Sequence, residues 1–262
     1  ALIKTTVTYP ADLFETVSWH DGSPLSLGDM VMFLIMNFDN AKEASAIYDE
    51  AQVPSLESFM STFKGIKIAY PSTGADLKGL LKAAYHDPNP VVMLEHKGLY
   101  WSKIKGTEDA RSIEPAADYI LPFGKARLVI EADTSEVGNG RAAVIVTYGM
   151  GVYWAKAAAA RFPGRVSIVD LRTLVPLDED TVMAQVRAHG RCLVVTEEQL
   201  TNSFAQALAG RIGDQCFRDL DAPVRTIGSV DMPAIPLNST LEAAMIPSAD
   251  KVGAVLEELL AY

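Results

Sequence analysis

From residue 66 to the C-terminus, short apolar runs rich in β-branched residues alternate with stretches whose apolar side chains recur at helical spacing. This pattern predicts strand–helix repeats, beginning with a strand over 66–70 and a helix over 75–85 and ending with a helix over 248–260. The uninterrupted run Val91 to Leu94 is typical of a strand that is covered on both faces of a parallel sheet. Because strands separated by helices imply βαβ crossovers, we predict an α/β fold in which helices flank a mostly parallel sheet.

Capping residues locate several helix boundaries. Asp178 is a favourable N-cap residue and Gly190 follows His189, so a helix is predicted from about 178 to 189. The motif His86-Asp87-Pro88-Asn89-Pro90 should end the helix over 75–85, because proline cannot continue a helix. Further helices are predicted over 39–51, 55–64, 151–162 and 203–212.

One dipeptide predicts an antiparallel feature. Asn139-Gly140 lies between the apolar runs 127–131 and 142–148. Asn-Gly is the strongest short-range signal for a hairpin, since both residues accept the positive φ of the turn. We therefore predict a hairpin between these two runs, which would give the sheet one antiparallel edge strand.

Composition and charge exclude several classes of protein. A net charge of −10 and a pI near 4.9 argue against a nucleic-acid surface, which needs clustered basic residues. The longest apolar run, Met30 to Met36, is far shorter than the roughly 20 residues that cross a bilayer, and the N-terminus lacks the pattern of a secretory signal. We expect a soluble cytoplasmic protein without membrane contacts. In it, Cys192 and Cys216 would be reduced apolar fillers.

In an open α/β sheet, functional residues gather at the carboxyl ends of the strands. Four candidate segments follow predicted strands: Gly149-Met150-Gly151, Arg172-Thr173, Glu197-Glu198 and Ser229-Val230-Asp231. The glycines either let a backbone approach a phosphate or form a tight strand-to-helix turn, and the turn is the commoner case. The two glutamates offer a general acid or a buried interface partner, although a solvated or ion-paired carboxylate is more common.

The histidines and the known catalytic motifs add little. His20, His86, His96 and His189 show no metal-ligand spacing, and His189 is interpreted as a surface residue at a helix C-terminus. His86 and His96 stand at opposite ends of one predicted strand, which disfavours joint catalysis. Neither a nucleophile elbow nor a nucleotide-binding glycine motif that opens a helix is present. The residues alone predict an α/β protein of two domains and assign no catalytic residue.

Several longer motifs occur in a definite order. The first is GIKIAYPSTGADLKGLLKAAYHDPNPVVMLEHKGLYWSK, from Gly65 to Lys103, and the segments GKARLVIEAD and AAVIVTYG follow it. DLRTLVPLD (170–178), VVTEE (194–198) and the C-terminal IPSADKVGAVLEELLAY come next. In this order the motifs resemble the beta subunit, or a fused C-terminal half, of the thiamine-diphosphate-dependent component of 2-oxo acid dehydrogenases. Both the pyruvate and the branched-chain members fit.

The resemblance implies a domain organisation. Residues 55–103 are similar to the end of a pyrimidine-binding α/β domain, 104–123 to a linker, and 124–262 to a transketolase-type C-terminal domain, whereas 1–54 are not recognised. It also implies decarboxylation of a 2-oxo acid on thiamine diphosphate and transfer of the acyl group to a lipoyl group. In this family the cofactor and magnesium lie between the pyrimidine-binding domain and a diphosphate-binding domain or alpha subunit.

The N-terminal part departs from the family. Its activating glutamate is not recognisable in residues 1–54, and Gln52 stands where the family has a loop histidine. Gly28-Asp29 is followed by Met30, so it does not match the magnesium motif. No catalytic residue is therefore assigned, and the cofactor-binding residues stay unknown. We expect an incomplete active site that is inactive alone, with thiamine diphosphate and magnesium bound only in the assembled enzyme.

One structural feature of the family does transfer by resemblance. Carbonyl groups at the helix end that precedes the Asp-Pro-Asn-Pro break hold a structural potassium ion in related subunits, and the matching positions are Ala84, Asp87 and Asn89. Carbonyl oxygens exposed at a broken helix end suit a hard cation. The alternative is that water or a neighbouring loop satisfies these carbonyls.

Two functions follow from the sequence. The first is a component of a 2-oxo acid dehydrogenase that supplies the C-terminal domain and assembly contacts. Its partners would be a diphosphate-binding alpha subunit, a lipoyl acyltransferase and a second copy of the chain. The alternative is a non-catalytic docking module derived from the transketolase superfamily.

Overall fold

The computed structural model describes residues 56–101, 104–232, 236 and 238–262, which all belong to one compact unit. The interpretations made for residues 1–54 lie outside the described residues; they concern the helix over 39–51, His20, Gly28-Asp29 and Gln52. No helix in the described ranges is long and apolar enough to span a membrane.

Strands and helices alternate along most of the described chain. The strands are β1 (Lys67–Ala69), β2 (Val91–Met93), β3 (Arg127–Ile130), β4 (Ala143–Thr147), β5 (Val166–Asp170), β6 (Thr173–Val175), β7 (Cys192–Gln199) and β8 (Arg225–Ser229). The helices are α1 (Leu56–Ser61), α2 (Gly74–Tyr85), α3 (Lys97–Trp101), α4 (Thr134–Gly138), α5 (Gly151–Ala159), α6 (Glu179–His189), α7 (Phe204–Gln215), α8 (Ser239–Met245) and α9 (Ala249–Leu259), with a 3-10 turn at Glu108–Ala110. Most of the predicted elements in this part of the chain are confirmed to within a few residues, whereas β6, α3, α4 and α8 were not predicted.

A five-stranded sheet forms the core of the C-terminal part, in the order β3-β5-β4-β7-β8. β4 pairs in parallel with β5 and β7, and β7 pairs in parallel with β8. Side chains alternate across β4, so that Val144 and Val146 pack with α6 and α7 while Ala143 and Ile145 pack with α5 and α9. Both faces are thus buried, which is why the strands read as continuous apolar runs. The predicted α/β fold is confirmed.

The antiparallel edge strand is confirmed, but the predicted hairpin is wrong. β3 pairs antiparallel with β5, as in Arg127 opposite Asp170, and not with β4. Residues 133–140 form a helical turn instead, because the Asp133 carbonyl accepts hydrogen bonds from Glu136 and Val137. The glycine of Asn139-Gly140 takes a φ of 64° just after this short helix. The positive φ of Gly140 therefore occurs just after the end of a helix and not within a two-residue hairpin turn.

A smaller, three-stranded sheet joins the segment that contains β1, α2 and β2 to the C-terminal part of the chain. It has the order β2-β1-β6, in which β1 pairs in parallel with β2 and antiparallel with β6. β6 belongs to the DLRTLVPLD motif, so a strand from the C-terminal part completes the sheet that β1, α2 and β2 begin.

The segment predicted as a linker runs along α2. The Leu121 N–H donates to the Gly79 carbonyl at 3.1 Å, and the Lys78 ammonium donates to the Pro115 carbonyl at 2.8 Å. Lys82 makes a similar contact to the Ala117 carbonyl. The chain from 115 to 121 is therefore bonded to α2, while the predicted domain boundaries themselves stay a prediction.

The caps predicted at Asp178 and Gly190 are formed, and two serines at the starts of predicted helices also act as caps. Asp178 accepts a hydrogen bond from the Thr181 N–H at 3.2 Å, and Ser203 and Ser248 cap α7 and α9 in the same way. Gly190 ends α6 with a φ of 67°. Each cap contributes roughly 1 kcal/mol to helix stability.

Replacing Gly79 by alanine should destabilise the protein, because an added Cβ would lie 2.6 Å from Tyr119 Cε1 and 2.7 Å from Leu121 Cβ. We expect the free energy of unfolding, measured with urea, to fall by about 1–3 kcal/mol. Gly210→Ala in α7 is the control, since a Cβ there meets nothing within 4 Å. This control should be neutral or stabilising by up to about 1 kcal/mol. Equal stability of the two variants would show that the 119–121 segment does not pack on α2.

Candidate functional site

The carboxyl end of β7 carries a buried glutamate that holds two helices. Glu198 is 4% exposed, and its Oε1 accepts a hydrogen bond from the Ser58 N–H at 2.8 Å. Its Oε2 accepts one from the Phe204 N–H at 2.9 Å. Ser58 lies in the first turn of α1 and Phe204 begins α7, so one carboxylate satisfies N–H groups at two helix starts. Of the interpretations considered for Glu198, the structure supports a buried partner.

A second buried glutamate lies beside it. Glu57 of α1 is 8% exposed, and burial raises its pKa to about 8, with further contributions from the charges of Glu198 and Glu197. We call Glu57, Glu197 and Glu198 the carboxylate cluster. Two buried tyrosines adjoin it: the Tyr70 and Tyr148 ring centroids are 5.3 Å apart. Burial, and secondarily the nearby carboxylates, raise the pKa of both phenols.

Glu197 faces the other side of β7 from Glu198, as alternation along a strand requires. Its Oε1 lies 3.1 Å from His96 Nε2. Burial opposes the charged form of His96, but the hydrogen bond and the negative charge of Glu197 outweigh it, so the pKa of this histidine is raised. Glu197 is thus ion-paired. His86 and His96 stand at opposite ends of β2, as predicted.

A network of four charged residues joins the small sheet to the large one. Asp76 of α2 lies 3.3 Å from Arg172 and 3.4 Å from Arg127. Arg127 also lies 3.0 Å from Asp170, whose carboxylate accepts a hydrogen bond from the Ser72 hydroxyl at 2.5 Å. We call Asp76, Arg127, Asp170 and Arg172 the charge network. Sequence reasoning named only Arg172 of this set, because the partners come from distant segments.

Burial governs the energetics of the charge network. Asp76 and Asp170 are 2% and 0% exposed. Burial raises the pKa of Asp170, against the opposing effects of the Ser72 hydroxyl and the Arg127 guanidinium. Arg172 adopts a left-handed φ of 58°, and its N–H donates to Asp170 at 3.2 Å. A strained backbone of this kind costs of order 1 kcal/mol and persists only where surrounding contacts demand it.

A cleft of about 340 Å³ lies at the carboxyl ends of β1 and β2. Its lining residues are Pro71, Ser72, Thr73, Gly74, Leu77, Glu95, His96, Leu99, Tyr100, Ala110, Arg111 and Ser112. The cleft is the position where open α/β sheets usually bind ligands. Because Ser72 and His96 also contact the charge network and the carboxylate cluster, the cleft lies between these two groups.

The other sequence candidates have structural roles. Gly149, with a φ of 53°, packs against the Tyr70 ring, and a side chain at Gly151 would collide with the Thr147 hydroxyl. These glycines therefore form a tight strand-to-helix turn. The Ser229 hydroxyl donates to the Glu197 carbonyl at 2.5 Å, and Asp231 accepts from the Thr201 N–H at 3.2 Å.

The prediction that His189 is a surface residue is wrong. The side chain is 4% exposed, with Nε2 2.8 Å from the Ser167 hydroxyl and Nδ1 2.7 Å from the Gln185 carbonyl. Burial lowers the pKa of His189. The helix end is covered because Ser167 of β5 offers the ring a buried partner. Cys192 and Cys216 are buried free thiols, as predicted.

The residues proposed for potassium lie together at the end of α2. The Ala84 carbonyl accepts from the Asp87 N–H at 3.2 Å. Asp87 Oδ1 accepts from the Asn89 N–H at 2.9 Å and from its side-chain amide at 3.0 Å, and Oδ2 contacts the Lys67 ammonium. Only the Ala84 bond involves a backbone carbonyl, and the potassium site stays a prediction.

The described residues do not fit the magnesium ion of thiamine enzymes. Among the residues that the structure describes, no three His, Cys, Asp or Glu side chains come together as metal ligands. Of the carboxylates in this region, Glu198 is bound to helix N–H groups, Asp170 to an arginine and Glu197 to His96.

Asp170→Asn tests the charge network, because it removes one negative charge while keeping the shape of the side chain. We expect the free energy of unfolding to fall by about 1–3 kcal/mol, since Arg127 loses a buried partner. Glu257→Gln is the matched control: its ion pair with Arg161 spans 3.7 Å and is largely exposed. The control should change stability by less than about 1 kcal/mol. If both variants had the same effect, the network would not matter to folding.

Comparison with known proteins agrees with these features. The family model "Transketolase, C-terminal domain" matches residues 133–252, and "Transketolase, pyrimidine binding domain" matches residues 49–102. The "Split gene transketolase, inactive beta4 tetramer" has a similar structure, with a TM-score of 0.58 over 78% of this chain and 61% of that one. At 18% sequence identity, this likeness supports the fold alone.

Curated relatives are beta subunits of several oxidoreductases. The 2-oxoisovalerate dehydrogenase subunit beta of Bacillus subtilis is 38% identical over 79% of this chain and 60% of its own length. The pyruvate dehydrogenase E1 component subunit beta of Rhizobium meliloti is 36% identical over 74% and 40%. The acetoin:2,6-dichlorophenolindophenol oxidoreductase subunit beta of Cupriavidus necator is 37% identical over 75% and 54%. The chain thus spans between 40% and 60% of the length of these relatives.

The pyrimidine-binding match precedes the C-terminal match along the chain. The small sheet and the charge network join these same two parts of the protein. Residues 133–252 are a transketolase C-terminal domain and residues 49–102 are transketolase pyrimidine-binding sequence, in a chain whose relatives are E1 beta subunits of pyruvate and branched-chain 2-oxo acid dehydrogenases.

Proposed function

We propose that the chain is part of the decarboxylating component of a 2-oxo acid dehydrogenase. The observation that supports this most strongly is the union of both transketolase-type matches in one compact unit, through β1–β6 pairing and the charge network. The relatives that span both matches are beta subunits of such enzymes. The chain would supply the C-terminal domain and assembly contacts.

The cofactors belong to the assembled enzyme in this proposal. When bound there, thiamine diphosphate supplies the carbanion stabilisation that decarboxylation requires. The contribution of this chain would be to position secondary-structure elements at the edge of that site. Glu198 binds the starts of α1 and α7, and the Glu197–His96 pair links β7 to the start of α3. We therefore propose that the chain is inactive alone.

The partners follow from the same proposal. A diphosphate-binding alpha subunit would complete the active site, a lipoyl acyltransferase would receive the acyl group, and a second copy of the chain would form a dimer or higher assembly. The location would be cytoplasmic, in keeping with the two reduced cysteines.

The names of the relatives supply a small set of candidate substrates. Pyruvate and branched-chain 2-oxo acids follow from the names of two relatives. Acetoin is a second candidate, because the similarly close Cupriavidus necator protein is named for it.

Complementation tests this function. The purified chain should not turn over pyruvate, 2-oxoisovalerate or acetoin with thiamine diphosphate and magnesium. Addition of an alpha subunit from a related enzyme should give a stable complex and substrate-dependent reduction of dichlorophenolindophenol. The control is the alpha subunit without the chain.

Three outcomes would change the proposal. Turnover by the chain alone would refute the incomplete site. Binding of a lipoyl acyltransferase or alpha subunit without any restored turnover would favour the alternative, a non-catalytic docking module, and binding of neither would exclude both roles.

We also propose that potassium binds at Ala84, Asp87 and Asn89. The clustering of these residues at the end of α2 supports it, because a carbonyl oxygen that accepts one hydrogen bond, as that of Ala84 does, keeps a second lone pair for a cation. The melting temperature should be higher in potassium chloride than in sodium or tetramethylammonium chloride of equal ionic strength. Equal melting temperatures in the three salts would argue against the site.

A further inference from the structure

Two acidic side chains lie buried where the start of α1 meets the carboxyl end of β7. Glu57 is 8% exposed and Glu198 is 4% exposed. Both oxygens of Glu198 accept backbone N–H groups, at 2.8 and 2.9 Å. Burial raises the pKa of Glu198 against the opposing effect of these two bonds, whereas the pKa of Glu57 is raised to about 8. Glu57 is therefore the member of the pair that must be neutral for α1 to pack here.

We propose that Glu57 is a proton-dependent latch: its protonated carboxyl allows α1 to pack against the carboxyl end of β7, and loss of the proton weakens that packing. α1 is a good candidate for local opening, since it has six residues and the Ser58–Glu198 bond holds its start. The proposal does not depend on the decarboxylase function.

Among the residues that the structure describes, no cation offsets the charge of Glu57. Glu198 lies beside it on β7, Tyr70 follows β1 and Tyr148 follows β4, while Glu197 on the opposite face of β7 adds a smaller electrostatic effect. His96 is paired with Glu197. Within the described ranges, no lysine or arginine forms an ion pair with Glu57 or Glu198. An ionised Glu57 would therefore meet only negative or neutral neighbours.

The direction of the pH effect follows from linkage. Glu57 has a pKa of about 8 when α1 is packed, against 4.5 when it is exposed to solvent. The packed state is therefore favoured fully below pH 4.5, and this preference is lost as the pH rises towards 8. Between these values the equilibrium constant for opening of α1 rises about tenfold per pH unit, and above pH 8 it is constant.

Hydrogen exchange of the full chain measures this opening. The amides of α1 would be followed by mass spectrometry between pH 5.5 and 8.0, with each rate divided by its intrinsic rate. In the wild type the corrected rate should rise about 150-fold over this range, because the rise levels off as the pH approaches 8. In Glu57→Gln the rise should be absent or small, and because Glu198 is retained, the difference between the two proteins isolates Glu57.

A matched control and a second measurement secure the test. Glu242→Gln, which neutralises an exposed glutamate on α8, should behave like the wild type. If Glu57→Gln fails to fold, carbon-13 NMR of the wild type with labelled glutamates replaces it and should show one carboxyl that titrates near pH 8. The latch is refuted if the wild type and Glu57→Gln show the same pH dependence, or if every carboxyl titrates below pH 6.

Discussion

The charge network is the interaction on which the rest of the described structure depends. Asp76 and Asp170 are nearly inaccessible to solvent, and a buried carboxylate is tolerated only with a close partner. Arg127 contacts both carboxylates, so the network cannot be divided between the small sheet and the large one. Without the large sheet, Asp76 would lose both of its arginine partners, Arg127 and Arg172. The network therefore supports the pairing of β1 with β6.

The carboxyl end of β7 repeats this logic at the candidate site. Adjacent glutamates project from opposite faces of one strand, and each holds a different neighbour: Glu198 binds the starts of α1 and α7, whereas Glu197 binds His96. The placement of α1 therefore depends on a carboxylate that lies 140 residues away in sequence. This arrangement explains why transketolase pyrimidine-binding sequence and a C-terminal domain occur together in one chain. Each part supplies polar groups that the other needs.

Local signals in the sequence predicted most of the fold but few of the contacts in the candidate site. Asp178, Ser203 and Ser248 act within one turn, so the helix starts that they cap were predictable. β6 has only three residues and exists because β1 lies beside it, which no periodicity reveals. Asn139-Gly140 has the right dipeptide for a hairpin, yet the Asp133 carbonyl bonds organise a helical turn first. His189 is buried because of Ser167, a partner in another strand. The missed features all depend on tertiary contacts, and the motif resemblance identified the family without locating these contacts.

The central claim is that the pyrimidine-binding part and the C-terminal domain fold as one unit through the charge network. A double-mutant cycle between Asp76 and Arg172, with Asp76→Asn, Arg172→Met and the double variant, tests it most directly, because the two residues come from different parts and lie 3.3 Å apart. The free energies of unfolding of the four proteins should give a coupling of about 1 kcal/mol or more. Additivity to within about 0.3 kcal/mol would contradict the account, since the two parts would then be stable independently of this contact.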